Sequence, residues 1–165
     1  MAAPSPQQLR DLALDLAVEE RKLDALVDSL AALGVVAGDR LRVDAAALRL
    51  QSLYTGIERC FLQVSRVLHG GTPDGQDWHR RLLERMGQPT EERPAVLREA
   101  SIASLQELLR FRHLVGHLYA YELQPEPVER LRTLALALWP EVRGELNAFQ
   151  GWLTGPWASP SRIDG

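Results

Sequence analysis

Two long apolar stretches with a helical period, separated by a short turn, constrain this 165-residue chain more than any other feature. The first begins at Ser5-Pro6, which is typical of a helix N-terminus, and the second follows Gly38-Asp39. Apolar residues recur every three or four positions in both stretches, and only Glu19 interrupts the first. They are Leu9, Leu12, Leu16, Leu23, Leu26, Leu30 and Leu33, and then Val43, Ala47, Leu50, Tyr54, Ile57, Phe61, Val64 and Leu68. Two such helices joined by a few residues are expected to lie antiparallel.

The rest of the chain continues the helical pattern after a Gly-rich break at 69–75. A short helix is predicted at 77–86, capped by Asp77, and a third long helix is expected to stop at the prolines near 125. A fourth is predicted from about 128 to 149. We therefore predict an all-α bundle of four long helices plus a short helix.

The composition indicates one ordinary globular domain, with 45% apolar and 25% charged residues. The domain is predicted to span 1–154, followed by a flexible tail at 155–165. We predict a cytoplasmic protein, because the sequence has neither the long apolar run of a membrane helix nor the features of a signal peptide. A net charge of −3 opposes a role in coating nucleic acid, although a local basic site remains compatible with it. Cys60 lies on an apolar stripe and is expected to be a buried thiol.

One short run places polar chemistry within an apolar helical stretch: Arg112-His113-Leu114-Val115-Gly116-His117-Leu118-Tyr119. The pattern is an arginine followed by a polar residue, then a histidine five positions after the arginine and a tyrosine two positions later. Arginine and histidine at this spacing alone are weak evidence, and the additional polar residue and tyrosine make the match more specific.

This pattern resembles the signature of the HEPN superfamily, and in particular of the HepT-like ribonuclease toxins. A second stretch agrees with one HepT-like subgroup, namely Leu53-Tyr54-Thr55-Gly56-Ile57-Glu58-Arg59 with the segment 75–86. The resemblance implies an endoribonuclease that works as a homodimer and is paired with a nucleotidyltransferase-type antitoxin. It also implies that Tyr119 is the position to which the antitoxin attaches AMP, with Tyr121 as a nearby decoy.

RNA cleavage without a metal needs a base, an acid and a cation that binds the phosphate. Arg112 suits the cation role because its planar fork can hold two phosphate oxygens. His117 suits the base or the acid, and His113 suits substrate orientation or the second proton transfer. This chemistry requires no metal and no cofactor. Further contacts with RNA are expected from Arg80, Arg81, Arg85 and Arg110.

The four motif side chains diverge on a straight helix, because Arg112 and Tyr119 share one stripe while His113 and His117 share another. They can meet if the helix ends or bends at Gly116, or if a two-fold partner supplies a second copy. Two other functions remain open. In the first, the protein is a catalytically inactive HEPN dimer that binds a partner. In the second, it binds a metal ion at a site in which His69 and His79 complete a pair formed by the motif histidines.

Overall fold

The structure is a computed structural model, and it describes residues 2–119 and 122–156. Its helices are α1 (Pro6–Ala32), α2 (Arg40–Leu68), α3 (Trp78–Met86), α4 (Glu99–Val115) and α5 (Pro125–Leu153). No strand occurs in these two ranges, so the all-α prediction of four long helices and a short one is confirmed. None of the helices in the described part of the chain is long and apolar enough to cross a membrane. Most of the predicted tail, 157–165, lies outside the described residues.

Helices α1 and α2 begin at the positions that the sequence indicates. Ser5 and Gln8 form a reciprocal capping box at the start of α1, and the Asp39 carboxylate accepts hydrogen bonds from the first amides of α2. After α1, the chain turns at Gly34, whose φ of 64° lies in the left-handed region that favours glycine. Arg132 of α5 donates to the carbonyls of Leu30 and Ala31, and so satisfies acceptors at the end of α1.

Helix α2 lies at the centre of the bundle and contacts each of the other four helices. All residues of its predicted apolar seam are buried. It approaches α1 closely at Gly56, where a Cβ atom would lie 2.5 Å from Cδ2 of Leu23. A larger residue at position 56 would therefore require the buried Leu23 side chain or one of the two helices to shift. Cys60 is buried as predicted, and burial raises the pKa of its thiol to about 12.

The predicted end of the third long helix is wrong, and the predicted start of the short helix is right in position but lacks its predicted cap. Helix α4 ends at Val115, well before Pro125, and Pro125 is instead the first residue of α5. Proline suits that position because the first helical amide has no partner within the helix. Asp77 does precede α3, but its side chain makes no capping hydrogen bond and pairs with Arg80 and Arg81 instead.

Candidate functional site

The motif lies at the C-terminal end of α4 and on the turn that follows it. Gly116 caps the helix, and the amide of His117 donates to the carbonyl of Leu114 at 3.0 Å. The sequence left open whether the helix ends or bends at Gly116 or whether a two-fold partner supplies a second copy of the motif. In the structure, the helix ends at Gly116. Tyr119 lies beyond the turn, so the prediction that it shares a helical stripe with Arg112 is wrong.

The Arg112 side chain reaches from α4 to the central helix α2. Its Nη1 atom donates to Oε1 of Glu58 at 3.1 Å, and its guanidinium lies 5.9 Å from the centre of the Tyr54 ring. The Glu58 side chain is only 5% exposed, whereas that of Arg112 is 27% exposed. The arginine is therefore anchored at one edge to a buried carboxylate, while part of the guanidinium remains at the surface.

His79, the second residue of α3, contacts the same carboxylate. Its Nδ1 atom lies 2.7 Å from Oε2 of Glu58 and 3.4 Å from Nη1 of Arg112. The Trp78 ring stacks on the His79 ring, with 3.6 Å between the centroids. Glu58 thus places a guanidinium and an imidazole side by side, from two different helices. We call Glu58, His79 and Arg112 the buried-glutamate cluster.

The two motif histidines border this cluster. The His113 ring lies edge-on to the His79 ring, with 5.6 Å between the centroids. Although His113 is largely exposed, partial burial lowers its pKa, and the charges of His79 and Arg112 lower it further. His113 is therefore neutral at pH 7. His117 is exposed and close enough to His113 to interact with it electrostatically.

Tyr54 lies beneath the cluster and is completely buried. Burial raises the pKa of its phenol, and the charge of Glu58 raises it further. The hydroxyl has no hydrogen-bond partner among the residues that the structure describes. Tyr54 therefore remains neutral and supplies an aromatic face to Arg112.

An open groove runs along the exposed face of α2 to Arg112. It has a volume of about 420 Å³ and is lined by Leu48, Gln51, Ser52, Thr55, Arg59 and Arg112. Arg59 is exposed and forms no ion pair within the described residues. Two guanidinium groups and several hydroxyl or amide groups therefore face one groove, and we call it the arginine groove.

The four arginines predicted as RNA contacts do not lie together. Arg80 and Arg81 are exposed on α3 and both pair with Asp77, at 2.9 and 3.2 Å. Arg85 is partly buried at the end of α3. Arg110 lines a different cleft, between α4 and α5. None of these four lines the arginine groove.

The histidines are divided between two places. His79 binds Glu58, and His69 accepts a hydrogen bond from Arg93 at 3.0 Å. Within 2–119 and 122–156, no three side chains of the His, Cys, Asp or Glu type are grouped so as to hold a metal ion. The metal-site alternative required His69 and His79 to join the motif pair, and His69 lies at the far end of α2.

Sequence reasoning missed the role of Glu58, although a signal was present. Glu58 follows Tyr54 by four residues and precedes Phe61 by three, so it lies at the edge of the apolar seam of α2. A carboxylate in such a position needs a partner, because burying a charge alone is costly. The sequence does not reveal that this partner comes from α3 and α4.

The arrangement defines an all-α bundle with a surface cluster of arginine and histidine organised by one buried glutamate. The HepT-like protein family matches residues 45–153, which include every residue of the cluster and the motif. The chain therefore belongs to the HepT-like family of the HEPN superfamily. No curated protein and no solved structure matches the chain.

Proposed function

We propose that this HepT-like protein is an endoribonuclease toxin that cuts RNA without a metal ion. The observation that carries the proposal is the anchoring of Arg112. Its Nη1 atom binds Glu58, while Nε and Nη2 have no hydrogen-bond partner among the described residues. These donors are available for a phosphate, beside two histidines that can transfer protons.

In this proposal, Arg112 binds the phosphate and stabilises the charge that develops on its oxygens. His117 performs one of the two proton transfers that cleavage needs. The attack of the ribose 2'-oxygen on phosphorus breaks the bond to the 5'-oxygen of the next nucleotide. The products are a 2',3'-cyclic phosphate and a 5'-hydroxyl.

The test is cleavage of RNA by the purified protein in the presence of excess EDTA, with the 3'-ends identified by mass spectrometry. We expect cyclic phosphate ends from the wild type and no cleavage by His117→Ala. Arg130→Ala is the matched control for arginine loss, because Arg130 is exposed and pairs with Glu107 on the other side of α4. Loss of cleavage in EDTA and its return with zinc would contradict the proposal.

The partners belong to the same proposal. The substrate is RNA, and the protein acts as a homodimer whose two-fold axis brings two motif ends together. Analytical ultracentrifugation of the active protein tests this arrangement. A species that is monomeric at the assay concentration and cuts RNA at the full rate would contradict it.

The last part of the proposed function is control by a nucleotidyltransferase-type antitoxin. Tyr119 is 69% exposed, so its phenol is accessible to an enzyme that transfers AMP. The added phosphodiester would place a negative charge near the motif and oppose phosphate binding. Mass spectrometry after co-expression should find AMP on the wild type and none on Tyr119→Phe. Tyr121, the decoy, lies outside the described residues.

A second function is favoured by the ion pair itself. Because Glu58 compensates the charge of Arg112 at 3.1 Å, the same geometry suits an inactive HEPN dimer in which this pair only joins α2 to α4. Such a protein would bind its partner without cutting RNA. Arg112→Lys separates the two functions, because lysine retains the pair with Glu58 but cannot present two donors to one phosphate. The binding module would tolerate it, and the nuclease would not.

A further inference from the structure

His79 is held in a fixed orientation although it lies outside the motif. Its side chain is 20% exposed, and its Nδ1 atom contacts the 5% exposed carboxylate of Glu58. The Trp78 ring covers one face, and the His113 ring approaches edge-on. The contacts come from α2, from α4 and from the neighbouring residue of α3, so the imidazole is restrained on several sides.

The contact with Glu58 determines which ring nitrogen carries the proton. The Glu58 carboxylate accepts a hydrogen bond from Arg112, and a carboxylate has no proton to donate to His79. Nδ1 of His79 is therefore the donor and carries the proton. In the neutral ring, Nε2 is then unprotonated and basic. Within the part of the chain that the structure describes, Nε2 has no hydrogen-bond partner. This nitrogen is ready to accept a proton.

His79 also lies next to the group expected to hold the phosphate. Nη1 of Arg112 is 3.4 Å from Nδ1 of His79, so the imidazole and the guanidinium lie side by side on the Glu58 carboxylate. A proton taken up by the ring adds a positive charge between Arg112 and His113. The carboxylate of Glu58, bonded to the same ring, compensates that charge.

We propose that His79 is the general base of the reaction, an inference that rests on the proposed ribonuclease function. Nε2 of His79 takes the proton of the ribose 2'-hydroxyl while the 2'-oxygen forms its bond to phosphorus. The bond from phosphorus to the 5'-oxygen breaks, and protonated His117 gives its proton to that leaving oxygen. The two imidazoles exchange protons with solvent and return to their starting states. Glu58 is a positioning residue that fixes the tautomer of His79.

Two substitutions separate this role from a structural one. In His79→Asn, the amide nitrogen occupies nearly the place of Nδ1 and can still donate to Glu58, but the basic nitrogen is lost. In His79→Gln, the amide extends towards the place of Nε2, without basicity. His69→Gln is the matched control, because His69 lies at the end of α2, about 16 Å along the helix from Glu58, and glutamine can still accept from Arg93.

We expect both His79 variants to cleave RNA about 100-fold or more slowly than the wild type. The thermal midpoint of His79→Asn, which retains the contact with Glu58, should be unchanged. The wild-type rate should fall when the pH is lowered, because a protonated imidazole cannot take the proton of the 2'-hydroxyl. The charged and titratable groups around it are Glu58 from α2 and Arg112 and His113 from α4. The residual rate of His79→Asn should lose this fall, while His69→Gln should retain both the rate and the pH profile.

A His79→Asn variant that cleaves at the wild-type rate would overturn the role of His79 and leave the proposed nuclease intact. A slow variant that keeps the wild-type fall at low pH would also overturn it, because the base would then be another group. A wild type that cuts no RNA would overturn both the nuclease and the role of His79.

Discussion

Two arginines of this protein lie against a histidine, and their surroundings differ. Arg93 is 2% exposed and donates to His69 and to backbone carbonyls of Arg85, Gln88 and Pro94. All three of its guanidinium nitrogens are engaged. Arg112 uses one nitrogen for a carboxylate, and its Nε and Nη2 form no hydrogen bond within the described residues. An arginine saturated by carbonyls fixes a loop, whereas one that is anchored at a single edge can also bind a ligand.

Helix α3 connects the two regions. Its second residue, His79, contacts Glu58, while the carbonyl of Arg85 near its other end accepts from Arg93. The amides of Val96 and Leu97 in the following loop also donate to the carbonyl of Met86. The short helix is thus held at both ends, which gives His79 the fixed position that a catalytic group needs.

The largest effect is expected for Arg112→Ala in the RNA-cleavage assay. Loss of a cation aimed at the developing phosphate charge should lower the rate by about 100- to 1000-fold. The variant also leaves Glu58 with His79 as its remaining partner, so its folding must be checked by circular dichroism. Arg112→Lys retains a positive charge beside Glu58 and should be nearly as slow while remaining folded. A fully active Arg112→Lys would remove the distinction between the two arginines.

The converse is expected for Arg93→Met, whose main effect is on stability. The substitution leaves three carbonyls in the 85–94 region without their donor, at a cost of about 3 kcal/mol in the free energy of unfolding. For a chain of this size, the melting temperature should fall by about 6–12 °C, measured by calorimetry. Arg130→Met, an exposed arginine, is the control. A melting temperature equal to that of the control would show that the loop does not depend on Arg93.

Much of the fold could be predicted from local pattern, because the seams and caps of α1 and α2 involve residues three or four positions apart. The end of α4 could not, because no breaker stands near Val115 except Gly116, and Pro125 suggested a later stop. The cluster was predictable only in part. Arg112 and His113 are marked by their spacing. The contacts of Arg112 with Glu58 and His79, however, join positions 54 and 33 residues apart and depend on tertiary packing. The same holds for Arg93, which lies in a loop whose sequence gives no sign of burial.

A third prediction concerns pH and the Arg93 region. Burial lowers the pKa of His69, the charges of Arg93 and Arg85 lower it further, and Glu92 opposes them. At pH values below the ordinary histidine pKa of about 6.5, the unfolded chain therefore binds more protons than the native protein. The contribution of neutral His69 to stability is present at pH values above this pKa and is lost as the pH falls below it.

Urea unfolding between about pH 7.5 and 5.5 should show this loss in the wild type, and a smaller loss in His69→Gln. Glutamine can still accept from Arg93 but cannot take up a proton. His113, whose pKa is also lowered, leaves a part of the effect in the variant. Equal acid sensitivity of the two proteins would show that the His69 contact with Arg93 does not sense pH.

The smallest effects are expected where arginines differ only in the pairing of exposed side chains. Arg59 faces the arginine groove and forms no ion pair among the described residues, whereas Arg80 is paired with Asp77 at 2.9 Å. Arg59→Ala should weaken binding of single-stranded RNA and lower the slope of log affinity against log salt by about 0.7, the value for one lost phosphate contact. Arg80→Ala should change the slope less, because Asp77 already compensates its charge. The reverse order would indicate that RNA crosses α3, as the sequence first suggested, and not the arginine groove. The arginines available to RNA would then lie on the other side of the buried-glutamate cluster.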